Sequence, residues 1–152
     1  MASKPDDSLL IQIAESETDL AHCFDIRTRV FVGEQDVPPE LELDELDKTA
    51  VHFLAWLAGE PIGVARLLNY NRAHRPTAKI GRVAVLKHLR GKGYGLALME
   101  AILDFARQRG FEEAILDSQT YALPFYEKLG FIAEGPEFLD AGIPHFRMRL
   151  RL

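Results

Sequence analysis

The stretch that most constrains the fold is an apolar run, residues 83–86, that leads into a basic, glycine-rich loop at residues 87–95 and then into a helix-periodic segment. Glycine tolerates positive φ, so this turn can point several backbone N–H groups to one place, where the following helix presents its positive N-terminus. The pattern predicts a cradle for an anion, with a preference for phosphate or pyrophosphate. Its glycines are Gly91, Gly93 and Gly95, and its cations are Lys87, Arg90 and Lys92.

Two common phosphate motifs fit this loop poorly. A dinucleotide fingerprint, G-x-G-x-x-G, would need its third glycine at the position of Leu96. A P-loop needs a hydroxyl residue after its lysine to bind magnesium, and Lys92 is followed by Gly93. The remaining alternative is a surface turn whose glycines only satisfy local geometry. Three alternate glycines flanked by cations at the start of a long helix favour the anion site.

Composition indicates a single globular domain. The chain has 152 residues, 47% of them hydrophobic, so we expect a flexible N-terminus at residues 1–8 and one domain at residues 9–152. Cys23 is the only cysteine, which excludes an intrachain disulfide and a cysteine-based metal cluster. Neither a signal-peptide core nor a membrane-spanning apolar run is present, so we expect a soluble, cytoplasmic protein without a membrane partner.

Charge is unevenly distributed along the chain. The net charge of -5 argues against nonspecific binding to nucleic acid. Residues 34–47 contain seven acids and no base, whereas residues 79–92 contain five bases and no acid. One segment suits a cation and the other an anion, although ordinary solvated surface explains the acidic segment equally well.

Hydrophobic periodicity predicts a sheet with helices packed on it, in the order β-α-loop-β-β-β-α-β-α-β-β, which is a mixed α/β or α+β layout. Gly81 indicates a bulge or a close backbone approach. The predicted strands are residues 9–14, 51–58, 62–68, 79–86, 113–117, 131–133 and 144–152, with a turn region marked by Gly135, Pro136 and Gly142. The predicted helices run from the N-cap Ser16 to Phe31 or Val32, from the glycine loop to Gly110, and over residues 121–129, and residues 33–48 form an acidic loop with one helical turn.

Two motifs resemble those of the GNAT superfamily of N-acetyltransferases. Residues 90–95, RGKGYG, match the signature (Arg/Gln)-x-x-Gly-x-(Gly/Ala). Residues 119–131, QTYALPFYEKLGF, are similar to the downstream motif Asn-x-x-Ala-x-x-(Phe/Leu)-Tyr-x-x-x-Gly-Phe, with Gln119 in place of the commoner asparagine. The order and spacing of the motifs also agree, and the resemblance covers about residues 9–150. The defining positions of the first motif are Arg90, Gly93 and Gly95.

A closer likeness is to the ElaA-like branch of that superfamily. It rests on residues 29–35, RVFVGEQ, and residues 142–145, GIPH. The branch also tends to carry glutamine at the position of Gln119. The resemblance implies a GNAT-like acyl-CoA N-acyltransferase fold, with a central, mostly antiparallel sheet that splays at the cofactor site and with flanking helices.

The same resemblance implies acetyl-coenzyme A as the donor and no metal. In the family, the pyrophosphate lies on the N–H groups of the glycine loop, and the strand before the loop pairs with the pantetheine arm as an added strand would. The expected cofactor-binding residues are Val83, Ala84, Val85, Arg90, Gly91, Lys92, Gly93, Tyr94, Gly95 and Gln119.

Acyl transfer from a thioester to an amine needs a neutral amine, a donor for the developing oxyanion and a proton for the departing thiolate. Tyr126 matches the family tyrosine that supplies or steadies that proton as general acid, and a backbone N–H within residues 83–85 is the expected oxyanion donor. The general base stays open. Its leading candidates, Glu34 and His145, lie in the branch-like segments. The other candidates are Asp44, Asp47 and His52.

We therefore expect an N-acetyltransferase that moves an acetyl group from acetyl-CoA to a primary amine, on a small molecule or on a peptide or protein, by direct attack in a ternary complex. The acidic segment favours a cationic acceptor. The alternative is a catalytically silent CoA-binding sensor or interaction module, and the intact loop and Tyr126 favour the enzyme. A homodimer is compatible with the sequence.

Overall fold

The computed structural model describes residues 8–71 and 75–152; residues 1–7, most of the segment expected to be flexible, lie outside that part, as do residues 72–74. The strands are β1 (Leu9–Ala14), β2 (Val51–Leu57), β3 (Glu60–Asn69), β4 (Thr77–Val85), β5 (Glu113–Gln119), β6 (Ile132–Asp140) and β7 (Ile143–Arg151). The α-helices are α1 (Glu17–Arg27), α2 (Pro39–Glu42), α3 (Tyr94–Gln108) and α4 (Leu123–Glu127). Shorter turns are the π-helical segment Thr28–Glu34 and the 3-10 segments Glu45–Lys48, Lys87–Leu89 and Thr120–Ala122.

The strands form one sheet in the order β1-β2-β3-β4-β5-β7-β6, which is antiparallel except where β4 meets β5. These two strands pair in parallel only from Thr77 opposite Glu113 to Lys79 opposite Ile115. Beyond that point no ladder joins the described residues of β4 and β5, so the strands diverge toward their C-terminal ends. A mostly antiparallel sheet with flanking helices, open at this position, confirms the fold expected from the sequence.

A β-bulge lies in β4 just past the point of divergence. Three residues of β3, Val64, Ala65 and Arg66, lie opposite the four residues 81–84 of β4. The extra residue is accommodated by Arg82, whose φ is 53°. The sequence predicts a bulge from Gly81, and the left-handed residue is its neighbour.

Helices pack on both faces of the sheet. On one face, α1 packs Cys23 and Ile26 against Leu54 of β2 and Val64 of β3. Burial raises the pKa of the Cys23 thiol to about 12, so this cysteine fills the core and is not an activated nucleophile. No helix within the described ranges is long and apolar enough to cross a bilayer. The other face is covered by the apolar stripe of α3, formed by Leu98, Met99, Ile102, Leu103 and Ala106.

The segment between α1 and β2 has more helical structure than the sequence predicts. The predicted first helix is interrupted, because α1 ends at Arg27 and the chain continues as the π-helical segment Thr28–Glu34. The acidic loop holds two turns, α2 and Glu45–Lys48, where one is predicted. Asp44 and Asp47 form a capping box that stabilises the second turn.

The predicted turn at Gly135 and Pro136 is a bulge within β6. Gly135 has φ of 74°, and the pairing with β7 breaks after Glu134 and resumes at Phe138. β6 therefore runs on to Asp140, and the turn into β7 comes only at residues 141–142. The longer hairpin places its tip beside the gap between β4 and β5.

Candidate functional site

A cleft opens where β4 and β5 diverge. It brings together four residues that the sequence predicts for the site, namely Val83, Gln119, Tyr126 and His145. Two further walls enclose it, one from the connection between α1 and β2 and one from the β6–β7 hairpin. These walls contribute Phe31, Gln35, Val37, Glu42, Asp140 and Ile143.

Some backbone N–H and C=O groups of β4 point toward the cleft. In an antiparallel pair, alternate residues direct their N–H and C=O groups to the same neighbouring strand. Leu86 N–H donates to Ile62 O at 2.9 Å, so Ala84 also faces β3. Val83 and Val85 face the opposite way, into the gap left by β5. Of the three strand residues predicted to bind the donor, Ala84 is the one whose backbone groups face β3.

The glycine-rich loop joins β4 to α3. Gly91 and Gly93 have φ of 79° and 90°, a conformation that glycine adopts without strain, and an added Cβ at either would meet nothing within 4 Å. Gly93 O accepts the first helical bond of α3, so the N–H groups of residues 94–96 have no partner within the helix. At Gly95 an added Cβ would lie 3.5 Å from the Phe125 ring, which is an ordinary van der Waals contact.

Arg90 and Glu34 form an ion pair beside this loop. The Arg90 guanidinium donates to both carboxylate oxygens of Glu34 at 2.8 Å and, through Nε, to Val85 O at 2.8 Å. The structure thus places Glu34 at the donor loop and not among the residues that line the cleft. Of the other loop residues, Lys92 is exposed and Tyr94 is half-buried. The loop therefore offers an anion its backbone N–H groups and the Lys92 ammonium.

Tyr126 reaches the cleft from α4. Its ring packs edge-on against Phe125 and Phe131, with centroids 4.9 and 6.1 Å away, which fixes the direction of the phenol. Burial raises the pKa of Tyr126, so the hydroxyl holds its proton more firmly than an ordinary phenol does. No group in the described ranges hydrogen-bonds that hydroxyl, which leaves it available to a substrate atom in the cleft.

His145 lies on β7, opposite Gln119 of β5, and is 8% exposed. Its Nδ1 is 2.7 Å from Ile143 O. A carbonyl oxygen only accepts, so we assign the proton of the neutral ring to Nδ1, which leaves the lone pair on Nε2. The ring is also stacked on Phe138, with centroids 5.9 Å apart. Of the two leading base candidates, His145 is the one that lines the cleft with Tyr126.

Gln119 makes a contact that the motif does not indicate. Its Nε2 donates to Gln35 Oε1 at 2.7 Å, across 84 residues of chain. The contact joins β5 to the end of the π-helical segment and closes one side of the cleft. Gln35 is a residue of the site that sequence reasoning missed, although it ends the branch-like segment at residues 29–35.

The acidic segment is held by arginines. Arg27 Nε donates to Glu42 Oε1 at 2.6 Å and its Nη1 to Asp47 Oδ1 at 2.7 Å. Arg66 Nη1 donates to Asp44 Oδ1 at 2.7 Å and to Asp47 Oδ1 at 2.9 Å. The sequence shows the run of acids but not their pairing with arginines, because neither arginine lies within that segment. We call this cluster, completed by Arg82, the arginine–acid network.

The remaining base candidates belong to this network. Burial opposes ionisation of Asp47, but hydrogen bonds from Arg27, the Asp44 N–H and Arg66 lower its pKa to about 2. Hydrogen bonding from Arg66 also lowers the pKa of Asp44. His52 is buried, with Nε2 2.8 Å from Asp47 O. All three side chains therefore hold the loop together, and a carboxylate with so low a pKa is a weak base.

The narrow end of the cleft carries another group absent from the sequence predictions. Arg147 Nε donates to Asp117 Oδ1 at 2.5 Å, and Lys79 Nζ lies 3.7 Å from Asp117 Oδ2. Both residues line the cleft: Lys79 is the last paired residue of β4, and Asp117 lies two residues beyond the last paired residue of β5. No three His, Cys, Asp or Glu residues within the described ranges are grouped so as to hold a metal ion.

Comparison with known proteins matches residues 13–152 to the family model described as acetyltransferase (GNAT) domain. The "Uncharacterized N-acetyltransferase YjcF" of Bacillus subtilis is 40% identical over 137 residues, which are 90% of this chain and 95% of that protein. The crystal structure of Escherichia coli ElaA is 29% identical, with a TM-score of 0.82 over 93% of this chain and 98% of that one. A GNAT family acetyltransferase from Elizabethkingia anophelis, solved with acetyl-CoA bound, shares the fold at 20% identity, with a TM-score of 0.74 over 96% of this chain and 99% of that one.

The family model spans most of the chain, and the Bacillus relative matches over most of both lengths. ElaA, the namesake of the branch indicated by residues 29–35 and 142–145, has the same fold at 29% identity. The chain therefore belongs to the GNAT acetyltransferase family and is a GNAT-type acyltransferase.

Proposed function

We propose that residues 9–152 act as one domain that transfers an acetyl group from acetyl-CoA to a primary amine, by direct attack while both substrates are bound. The observation that carries the proposal is the cleft between β4 and β5, because one opening holds free β4 backbone, the Tyr126 phenol and the His145 imidazole. The acetyl-CoA seen in the Elizabethkingia structure supports the choice of donor through the shared fold.

The donor half of the site fits the chemistry of coenzyme A. The N–H groups at the start of α3, reached through the positive φ of Gly91 and Gly93, suit the pyrophosphate. The outward-facing groups of Val83 and the N–H of Val85 suit the amides of the pantetheine arm, which would pair with β4 as an extra strand, while Val85 O already accepts from Arg90 Nε. The thioester then lies near the bulge, beside Val83 N–H and Tyr126.

The transfer uses three groups of this chain. The amine nitrogen attacks the thioester carbonyl carbon, and Val83 N–H stabilises the oxygen as it becomes negative. His145 Nε2 takes the proton that the attacking nitrogen loses. The C–S bond breaks, and the Tyr126 hydroxyl donates to the departing sulfur, which ends as the free thiol of CoA. One N–C bond replaces one C–S bond. The sulfur takes its proton from the solvent while Tyr126 keeps its own, and His145 returns the nitrogen's proton to the solvent, so the net change is one proton moved from nitrogen to sulfur.

The acceptor side is less acidic than the sequence suggests. Glu42, Asp44 and Asp47 are already paired with arginines, so they offer little attraction to a cationic amine. Asp140, at the hairpin tip, is the acid of the cleft lining for which no ion pair is formed within the described ranges. Both small-molecule amines and peptide or protein amines stay candidates as acceptors.

An assay of free thiol release from acetyl-CoA tests this function. The purified protein would be offered a panel of polyamines, amino acids, aminoglycosides and peptides with free lysine or N-terminal amines, and the products weighed by mass spectrometry. Acceptor-dependent thiol release with a product heavier by one acetyl group supports the proposal. Tight binding of acetyl-CoA with no thiol release for any acceptor would instead favour the CoA-binding sensor.

A further inference from the structure

Arg82 has a backbone conformation that needs an explanation. Its φ of 53° lies in the left-handed region, which costs free energy for a residue with a Cβ. It also lies within a strand, directly before Val83, whose N–H faces the cleft. Such a conformation persists only where the surrounding contacts over-determine it.

The Arg82 side chain supplies those contacts. Its Nε and Nη2 donate to Glu42 O at 3.2 and 3.0 Å, and Nη2 also lies 3.4 Å from Leu41 O and 3.5 Å from Asp44 Oδ2. Leu41 and Glu42 end α2, so their carbonyls lack partners within that helix. The guanidinium therefore caps α2 and binds the acidic segment to β4.

The bulge at Arg82 sets which way the rest of β4 faces. Side chains alternate along a strand, so one extra residue moves all those after it to the other face. After the bulge, Ala84 packs in the α1-side core and Val83 against the α3-side core. The backbone groups shift by the same step, which turns those of Val83 and Val85 toward the gap.

We infer that Arg82 is a positioning residue for acyl transfer: its bonds to the end of α2 hold the β4 bulge, and the bulge aims Val83 N–H at the acyl carbonyl. The inference rests on the proposed function. Through these bonds, α2 on the acceptor side of the cleft is joined directly to β4, the strand proposed to hold the donor. Arg82 also lines the cleft, but in this scheme it acts on the reaction through the bulge, and a separate loop holds the pyrophosphate.

The test compares acetyl-CoA with S-ethyl-CoA, a thioether of similar size that lacks the carbonyl oxygen. Isothermal titration calorimetry of both ligands isolates the carbonyl contact and needs no acceptor. A hydrogen bond to a neutral carbonyl corresponds to a preference of about fivefold for acetyl-CoA. Arg82→Gly removes the side chain but lets the backbone keep its positive φ without strain. We expect this variant to bind S-ethyl-CoA as the wild type does and to lose the preference.

Two further variants separate positioning from general damage. Arg82→Lys keeps the charge with a single donor group and should keep part of the preference. Arg149→Ala removes another β-strand arginine that is paired with two acids, Glu113 and Glu134, and should leave both affinities unchanged. With any acceptor found in the amine panel, Arg82→Gly should lower kcat by at least about tenfold with little change in the KM for acetyl-CoA.

The outcomes are distinguishable. If Arg82→Gly keeps the wild-type preference for acetyl-CoA, the side chain does not position the strand and the inference is wrong. If the wild type binds both ligands equally, no carbonyl contact exists to be positioned, and the inference fails while CoA binding stands. If the wild type binds neither ligand, the proposed function is wrong, and the inference that rests on it is wrong as well. Thermal melting of each variant checks that the titrated protein is folded.

Discussion

Tyr126 and His145 owe their proposed roles to their surroundings. Burial raises the pKa of Tyr126 above that of a free phenol, whereas an ordinary thiol has a pKa of about 8.5. The phenol therefore binds a proton more tightly than a thiolate does, so Tyr126 acts chiefly by donating a hydrogen bond to the sulfur as charge develops. For His145, the Ile143 carbonyl orients the ring by accepting from Nδ1.

Removing the Tyr126 hydroxyl should slow the chemical step. For Tyr126→Phe we expect kcat to fall by about 100-fold with little change in the KM for acetyl-CoA, because the hydroxyl acts on the leaving sulfur only as the bond breaks. Steady-state thiol release measures both constants. Tyr121→Phe is the matched control, since Tyr121 is a nearby but exposed tyrosine and should keep its kcat. An unchanged kcat in Tyr126→Phe at every pH would remove Tyr126 from the mechanism.

The pH profile offers a second check on Tyr126. An ordinary tyrosine ionises near pH 10, and a raised pKa keeps Tyr126 protonated beyond that point. We expect the kcat of the wild type to stay level as the pH rises from about 8 to about 10. A decline over this range in the wild type that disappears in Tyr126→Phe would show that the phenol ionises there, contrary to the burial argument.

His145 should matter for the chemical step. A general base takes the proton of the attacking amine, so removing the lone pair on Nε2 should slow the transfer. We expect His145→Gln to lower kcat/KM by about 100-fold in the thiol-release assay. Glu34→Gln is the comparison, because it tests the other leading candidate, which pairs with Arg90 beside the donor loop. If Glu34→Gln lowers kcat/KM by this factor and His145→Gln does not, the assignment of the base is reversed.

At the scale of elements, β4, the glycine loop and α3 form one donor-binding unit. The strand ends in outward-facing backbone groups, the loop turns through Gly91 and Gly93, and α3 begins with free N–H groups. Each part depends on backbone direction more than on side-chain chemistry. Glycine is needed at the two positive φ values, whereas the space between Gly95 and Phe125 would also admit a Cβ.

Strain in the loop should weaken donor binding selectively. Gly93→Ala places a Cβ at φ 90°, which costs about 1 kcal/mol and displaces the N–H groups at the start of α3. We expect the Kd for CoA, measured by calorimetry, to rise about tenfold. Gly59→Ala is a matched control, since Gly59 has φ of 83° with similarly open space in the β2–β3 turn. It should lose stability but keep its affinity for CoA.

For the whole molecule, the arginine–acid network fastens the segment between α1 and β2 to the sheet. Arg27 is 1% exposed and Arg66 is 5% exposed, so each needs its carboxylate partners. Arg82 adds the link to β4. The network therefore stabilises the fold and shapes the acceptor side of the cleft through the same contacts.

Acid should weaken this network. The pKa of Asp47 is lowered from 3.8 to about 2 in the folded protein, so the unfolded chain binds more protons as the pH falls. The stabilisation is fully present above about pH 4 and is lost as the pH falls toward 2, a change of order 1 kcal/mol once solvent screening is included. Urea unfolding over this range measures it.

Asp47→Asn should lower the free energy of unfolding at neutral pH by about 2 kcal/mol and reduce the loss of stability in acid. Asp104→Asn, in an exposed pair with Arg107, should change neither. An equally steep acid dependence in Asp47→Asn would assign the effect to other carboxylates.

Features that depend on local backbone chemistry could be predicted from the sequence alone. The glycine spacing in residues 90–95 requires the positive φ values that the structure shows, and the alternation of apolar residues defines most strands to within a few residues. The two motifs led to the GNAT family, which the comparisons confirm. These inferences succeed because each depends on neighbouring residues along the chain.

The contacts between distant side chains could be identified only from the folded structure. Arg27, Arg66 and Arg82 lie far apart in sequence, and folding alone brings them onto the acids that looked free for a cationic substrate. It also separates Glu34, paired with Arg90, from His145 beside Tyr126. A local pattern shows the sign of a charged side chain, but the packing of distant segments determines which group pairs with it. The sequence could therefore propose several general bases and a cationic acceptor, but it could not choose among the bases or show that the acids are already paired.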